Sequence, residues 1–417
     1  MRRLALVVAV ATSACAGPLV HVEPVATPRA VTLGEDAASD REANHAAPLA
    51  PAPEAGLAGV VERLRGLRFR TRVPVRRLAG ADFDVRVTAA TASAPVSGAR
   101  RLVRRAFGIG PAEQAPRAAV ARGRYVGLYD FRTHELLVRD DLGAREDGVV
   151  AHELVHALQD QHFGLEGEDA PPDEALALEA LYEGDAVLLR ERLAAARAGE
   201  DERAFLERAL SAVDRLPAEE IAHAVGASPR VLSARKDVRA EVLFPYVAGF
   251  RFAARRYLAG GNAALDAVYA DPPRSTRAVL HPESGAPKVS AAIPDDLADA
   301  STRIGEGVLG EARTAMVLAR CGVRGEAGTR GFEADRFVVH GDRDHADAPT
   351  TLVWLTAWRS NADAARFASD VARARVCFPA GSQAFEVSAR GARVVFVLGP
   401  RATSALVTRA FGQPASP

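Results

Sequence analysis

Residues 152–162 read HELVHALQDQH and place three histidines and one glutamate within eleven positions. His152 and His156 are four residues apart, so on an α-helix their imidazoles would lie one above the other on the same face. Two imidazoles in that arrangement can bind a single metal ion from one side. Glu153 would stand beside the first ligand, within reach of a water molecule on the metal, where its carboxylate can accept a proton.

The spacing of these residues is the H-E-x-x-H signature of zinc metallopeptidases. Zinc polarises a peptide carbonyl and lowers the pKa of its bound water, and the glutamate passes the proton of that water to the leaving amine. The sequence therefore predicts Zn2+ as cofactor, with His152 and His156 as ligands and Glu153 as general base. The predicted partner is a peptide or protein substrate.

The third ligand could lie on the same helix, at His162. Its distance from His152 matches the metzincin motif H-E-x-x-H-x-x-G-x-x-H. That motif has glycine where this chain has Gln159, and it needs a methionine turn below the metal, whereas the methionines here are Met1 and Met316. We therefore expect His162 to pack or to form a hydrogen bond at the end of the helix.

The alternative is a carboxylate from the next helix, where EALYEGDAVLL (179–189) stands. This stretch resembles the gluzincin class of metallopeptidases, whose second helix carries a zinc-binding glutamate, often as E-G-x-A. The resemblance implies that Glu183 is the third ligand and that Gly184 lets the helix approach closely. It also implies that Asp185 orients a ligand histidine through its other ring nitrogen. Glu179, one turn earlier, remains the competing ligand or a supporting carboxylate.

A wider resemblance links the chain to a group of uncharacterised bacterial gluzincin-like proteins that are often predicted lipoproteins. The segments that carry it are HEL-x-HALQDQHF (152–163), RGL-x-F (65–69), PY-x-x-G (245–249) and PP-x-ST…LHPE (272–283). Together they cover most of residues 57–290. The resemblance implies a zincin-like metallopeptidase domain, but it says little about the substrate.

Peptide hydrolysis also needs a hydrogen-bond donor for the developing oxyanion, besides the metal. His281 stands in the LHPE segment, after a turn-rich stretch that could fold over the site, and Tyr246 stands in the PY-x-x-G segment. These two are the first candidates for a catalytic donor. Tyr182 and His223 remain open as further candidates.

The pattern of apolar residues predicts the elements that must position these side chains. Helices are expected at 57–67, 96–109, 144–164, 173–199, 307–322 and 362–374, with more between 199 and 270. Strands are expected at 68–78, 332–342 and 350–360, with hairpins at 123–141 and 382–400. We therefore predict an α+β protein: a mainly helical zincin-like domain with a small sheet (57–290), followed by a smaller α+β domain (300–412).

The N-terminal segment has the pattern of an export signal. Two arginines precede a short apolar run and the small residues TSAC, so residues 1–15 are expected to be a signal peptide. Its end resembles a lipobox, which implies lipidation of Cys15 and a membrane anchor; cleavage around A-C-A with plain secretion is the alternative. The Pro/Ala-rich stretch 16–56 is expected to be a flexible tether. Cys321 and Cys377 could then form a disulfide or remain as two buried thiols.

Composition limits the classes of function. The chain has 53 Lys+Arg and 53 Asp+Glu residues, so it has no charge excess for nucleic-acid binding. The leading hypothesis is zinc-dependent peptide hydrolysis in the bacterial cell envelope, by a lipid-anchored, periplasmic or secreted protein. The alternative is a non-catalytic envelope lipoprotein, with a structural or lapsed zinc site and a C-terminal binding domain.

Overall fold

A computed structural model describes residues 53–90, 106–107, 125–165, 170–215, 229–294, 297, 302–323, 328–342, 345, 349–375 and 384–412. The predicted mixed α+β class is confirmed, because a helical region with a small sheet precedes a region built on a larger sheet. Each described helix is too short or too polar to span a lipid bilayer.

The small sheet has three strands in the order β1-β3-β2. The strands are β1 (Val75–Leu78), β2 (Gly127–Asp130) and β3 (Glu135–Arg139). Strand β3 pairs in parallel with β1 and antiparallel with β2, which forms an edge of the sheet. The predicted hairpin at 123–141 is therefore confirmed.

The strand predicted at 68–78 is correct only for its last four residues. The backbone N–H groups of Arg70 and Thr71 donate to the side-chain oxygen of Gln161, and that of Phe69 donates to Glu62. These donors are therefore bonded to side chains of neighbouring helices and form no strand ladder. The stretch after β1, which is poor in helix-forming residues, forms a helix that packs Phe83 and Val87 against the sheet.

The other described elements of the first region are helices. They are α1 (Pro53–Arg65), α2 (Gly80–Ala90), α3 (Glu146–Phe163), α4 (Pro172–Ala198), α5 (Glu202–Arg215), α6 (Pro229–Leu232), α7 (Lys236–Ala270) and α8 (Thr276–Leu280). Helix α4 lies at the centre, because its apolar residues contribute to three core clusters. Helix α7 breaks at Gly260 and Gly261, whose backbone angles are not helical.

The second region is a five-stranded antiparallel sheet in the order β4-β5-β6-β8-β7. Its strands are β4 (Arg303–Gly307), β5 (Phe332–His340), β6 (Thr351–Trp358), β7 (Phe385–Arg390) and β8 (Arg393–Leu398). Its helices are α9 (Gly310–Arg320), α10 (Asn361–Ala374) and α11 (Ser404–Ala410). The helix predicted at 307–322 is shorter than expected, because its first residue belongs to β4. Every residue of the central strand β6 is buried, since apolar clusters cover both faces.

The two regions meet through buried polar contacts, which we call the seam. Asp173, at the start of α4, accepts hydrogen bonds from the backbone and hydroxyl of Thr276, and that hydroxyl accepts from the backbone N–H of Ala312 on α9 in the second region. Arg277 donates to the Phe332 carbonyl and to the Glu333 carboxylate, with both charged side chains buried. The segment at 272–283 therefore joins the first region to the second.

Candidate metal centre

Helix α3 places the two histidines of the motif on one face, one turn apart. Their ring centroids are 4.9 Å apart, and the two Nε2 atoms are separated by 3.2 Å. Helix α4 supplies Glu183, whose Oε2 lies 3.0 Å from His152 Nε2 and 3.5 Å from His156 Nε2. The three buried side chains converge so that one potential ligand atom from each lies within 4.8 Å of the others.

The donor set fits zinc. Two imidazole nitrogens and one carboxylate oxygen are the protein ligands of a common class of catalytic zinc site, which keeps one position for water. Glu179 is half-buried one turn earlier on α4 and is not a member of the converging group. Among the described residues, this is the one group of three or more His, Cys, Asp or Glu side chains with metal-site geometry.

In the metal-free chain, the candidate ligands shift each other's pKa values. Burial alone would raise the pKa of Glu183, but the hydrogen bonds from His152 and His156 outweigh it and hold that pKa well below its usual value. Burial likewise lowers the pKa of His156, but the hydrogen bond and the charge of Glu183 overcome this and raise it to about 9. Both shifts favour the charged pair of a carboxylate and an imidazolium in the metal-free centre.

The edge strand β2 holds the candidate base. The backbone N–H of Tyr129 donates to Glu153 Oε2 over 2.9 Å. A Cβ at Gly127 would lie 2.5 Å from Val149 Cγ1 and 3.2 Å from Glu153 Oε1, so the lack of a side chain there lets the strand approach the helix. Burial raises the pKa of Glu153, which makes its carboxylate a stronger base.

Tyr246 reaches the cluster because α4 and α7 cross in backbone contact. A Cβ on Gly184 would lie 2.2 Å from the Gly249 carbonyl oxygen, so only glycine fits that crossing. Tyr246 precedes Gly249 by about one turn and is thereby brought over α4. Its hydroxyl donates to Glu183 Oε1 over 3.0 Å, and its ring stacks near His152, with centroids 6.4 Å apart.

The other predicted oxyanion donors have different surroundings. The imidazole Nε2 of His281 lies 3.0 Å from Glu311 Oε1 on α9, so the structure brings this histidine to the seam and not into the ligand group. The Tyr182 ring stacks near Tyr269, with centroids 6.2 Å apart. His223 lies outside the described residues.

Two predictions about supporting residues have different outcomes. His162 forms a hydrogen bond at the end of α3, from Nε2 to the carbonyl oxygen of Arg68 over 2.7 Å, as expected for a residue that does not bind the metal.

Asp185, expected to orient a ligand histidine directly, contacts neither histidine in the described hydrogen bonds. It accepts from Arg65 Nε over 3.0 Å and from Gln159 Nε2 over 3.4 Å. A carboxylate two residues after Glu183 points to a different side of α4, which explains the error.

The sequence predictions gave no supporting role to Gln159, which contacts a candidate ligand histidine. Gln159 Oε1 lies 2.9 Å from His156 Nδ1. A signal was present, since Gln159 follows His156 by three residues and so shares its helix face. Arg65 carried a signal of another kind, as the first residue of the RGL-x-F segment.

An exposed aromatic ring stands beside the candidate ligands. Phe131, in the turn between β2 and β3, is 44% exposed, and its centroid lies 6.5 Å from that of His156. The turn is fixed to α3, because the Tyr129 hydroxyl and His134 Nδ1 lie 2.8 Å and 3.0 Å from Asp160 Oδ2. The centre therefore has a positioned apolar surface at its side.

The predicted cysteine chemistry falls mostly outside the described residues. Cys15 and Cys377 are not described, so the lipidation and the disulfide stay predictions. Cys321 follows the last residue of α9 and is half-buried.

Comparison with known proteins gives one match. Residues 299–408 match a family described as a domain of unknown function, DUF8575. No curated protein and no solved structure matches the chain. The matched residues form most of the second region, and the candidate metal centre lies outside them.

Proposed function

We propose that this protein is a zinc-dependent peptidase, with His152, His156 and Glu183 as zinc ligands and Glu153 as general base. The observation that carries the proposal is the convergence of two imidazole nitrogens from α3 and one carboxylate oxygen from α4 within 4.8 Å. A fourth side chain, that of Glu153, is buried on α3 beside the two histidines, and it accepts a hydrogen bond from the backbone of the edge strand β2.

A catalytic role fits the residues better than a structural one. Structural zinc sites are normally closed by four protein ligands, whereas catalytic sites have three and keep a place for water. Zinc bound here would polarise the scissile carbonyl and acidify its water. Glu153 would accept the proton of that water and deliver it to the leaving amine. Tyr246, once its hydroxyl leaves Glu183, could donate to the carbonyl oxygen.

The proposed setting is the bacterial cell envelope, with a lipid anchor at Cys15. Its support is the signal-like N-terminal sequence and the resemblance to bacterial lipoproteins. The proposed partners are accordingly a peptide or protein substrate and the membrane surface to which the anchor attaches.

The test compares the wild-type protein with Glu153→Gln. Both should bind one zinc per chain by elemental analysis, because Glu153 is not a proposed ligand. Cleavage of a mixed library of quenched peptides should fall at least 1000-fold in the variant, by a rough estimate for loss of the general base together with the water it positions. Glu146→Gln, in the first turn of the same helix, is the matched control and should retain activity.

Two results would overturn the proposal. A wild-type protein that binds no zinc would exclude the metal site. A zinc-loaded protein that cleaves nothing in a broad library would favour the non-catalytic envelope lipoprotein, in which the zinc has a structural role or a lapsed one.

A further inference from the structure

We propose that Gln159 is a positioning residue for the candidate ligand His156, and that Arg65 and Asp185 hold Gln159 in place from behind the site. This inference rests on the proposed metal site. It concerns the hydrogen bonds that run from Gln159 on α3 through Asp185 on α4 to Arg65 on α1, which we call the relay. Arg65 is the first residue of the RGL-x-F segment, so the inference also gives that segment a role.

The orientation of the Gln159 amide follows from its neighbours. Its Nε2 lies 2.9 Å from the carbonyl oxygen of Tyr182 and 3.4 Å from Asp185 Oδ2. Both neighbours accept hydrogen bonds, so the NH2 group must face them and the amide oxygen must face His156. Because that oxygen only accepts, His156 Nδ1 must carry the proton. Nε2 is then the nitrogen that faces the candidate centre, where a bound metal would replace its proton.

The other end of the relay is anchored by buried charge. Arg65 Nε donates to Asp185 over 3.0 Å, and both side chains are 1% exposed. The Tyr269 hydroxyl donates to the same carboxylate oxygen over 2.8 Å. Arg65 also donates to Asp266 over 2.7 Å. Arg65 and Tyr269 therefore both hold the same oxygen of Asp185, Oδ2, that also accepts from Gln159.

The helix break in α7 makes this anchor possible. Asp266 and Tyr269 lie after the break at Gly260 and Gly261, where the chain changes direction. The guanidinium carbon of Arg65 lies 5.9 Å from the centroids of both the Phe163 and Tyr269 rings. These two rings stack 4.1 Å apart, so the end of α3 is also tied to the anchor.

The two candidate ligand histidines are supported differently. His152 Nδ1 is buried and has no hydrogen-bond partner among the described residues, whereas His156 Nδ1 is held by Gln159. Of the two histidines, a substitution at Gln159 should therefore affect only His156. Hydrogen bonds of this kind, to the nitrogen of a ligand histidine that does not bind the metal, typically contribute 10- to 100-fold to metal affinity.

The first experiment measures zinc affinity of the whole chain by competition with a chromophoric chelator. Gln159→Leu should weaken zinc binding about 10- to 100-fold and should change the visible spectrum of the Co2+-substituted protein, which reports ligand geometry. Gln161→Leu is the matched control on the same helix, because its side chain bonds the backbone of Arg70 and Thr71. Its zinc affinity should equal that of the wild type.

A second pair of variants separates positioning from stability. Gln159→Glu keeps an acceptor facing His156 Nδ1 but puts a second carboxylate oxygen against the carbonyl oxygen of Tyr182. We expect it to retain zinc affinity better than Gln159→Leu and to lower the melting temperature of the metal-free protein. Arg65→Met should lower the melting temperature of the metal-free protein and weaken zinc binding by less than Gln159→Leu.

The outcomes distinguish the relay from the site it serves. If His156→Ala abolishes zinc binding while Gln159→Leu binds as tightly as wild type, the relay is wrong and the metal site stands. If Gln161→Leu and Gln159→Leu lose affinity equally, the effect is general loss of structure and the relay is again wrong. If His156→Ala binds zinc like wild type, the proposed metal site itself fails.

Discussion

The candidate metal centre and the seam both bury carboxylates, but they satisfy them in different ways. At the seam, Glu333 accepts from Arg277 and from the backbone of Lys288, and Asp335 accepts from two backbone N–H groups and the Trp354 indole. At the centre, Glu183 is bonded by side chains that can themselves bind a metal or a substrate.

This contrast helps to distinguish carboxylates that are buried to stabilise the fold from a carboxylate that is buried at a functional site. Backbone donors and arginine cannot leave a buried carboxylate without leaving a polar group unsatisfied, so a change of partners at the seam would be costly. Imidazole nitrogens can exchange a proton for a metal ion. The metal centre and the seam should therefore respond differently to substitution.

The largest expected difference concerns metal affinity. Glu183→Ala should weaken zinc binding by more than about 100-fold, because it removes a direct ligand and so exceeds the usual effect of an outer hydrogen bond. Glu333→Ala should leave zinc affinity unchanged and destabilise the fold by about 3 kcal/mol or more, because Arg277 would remain buried without its partner. Chelator competition and chemical denaturation of the metal-free proteins measure the two effects. Loss of zinc affinity in Glu333→Ala would contradict the separation.

The metal centre and the seam each contain a glycine at which an added methyl group should disturb the packing. Gly184→Ala would put a Cβ 2.2 Å from a backbone oxygen of α7, so we expect a loss of about 3 kcal/mol together with weaker zinc binding. Gly310→Ala would put its Cβ 1.8 Å from Asp173 Oδ1 at a φ of +81°, with a similar loss but unchanged zinc affinity. Thermal unfolding and zinc titration of both variants check this, and equal zinc affinity in the two would remove the distinction.

The stability that the seam contributes to the fold should depend on pH, because of the Asp173 carboxyl. Burial raises the pKa of this carboxyl to about 6 from an ordinary value of 3.8. The folded state therefore binds the proton more tightly, and stability should fall as pH rises from about 4 to about 6, by roughly 3 kcal/mol. Asp173→Asn keeps an acceptor for Thr276 and should remove this fall. Denaturation at several pH values, wild type against variant, measures it; parallel curves would contradict the assignment.

The smallest expected effect is on substrate binding. Phe131→Ala should raise KM for peptides with an apolar residue at the cleavage site by about tenfold, because the aromatic surface beside His156 would be lost. Val85→Ala is the control, since Val85 is the other large apolar residue among the exposed ones described, at 69% exposure. Peptide kinetics at fixed zinc measure both. An equal KM in the two variants would assign Phe131 no part in substrate binding.

The sequence predicted most reliably what depends on local pattern. Helices α3 and α4, the β2–β3 hairpin and the strands β5 and β6 all follow from apolar spacing within a few residues. The neighbourhood of His152, His156 and Glu183 was reached from motif and resemblance, and the structure brings these residues together. Contacts between distant segments were out of reach, because periodicity carries no information on which helix Arg65 or His281 will meet. The stretch before β1 was misassigned for the same reason, since its N–H groups bond to the side chains of helices α1 and α3.

The raised pKa of His156 beside Glu183 would affect how the chain acquires the proposed zinc. In the metal-free protein a shared proton can balance the charge of the Glu183–His156 pair, so folding would not require zinc. The proposed zinc would then enter a chain that has already folded. Loading is then an ion exchange that releases acid, so zinc added to a weakly buffered solution of the folded chain should lower its pH and leave its far-UV circular dichroism unchanged.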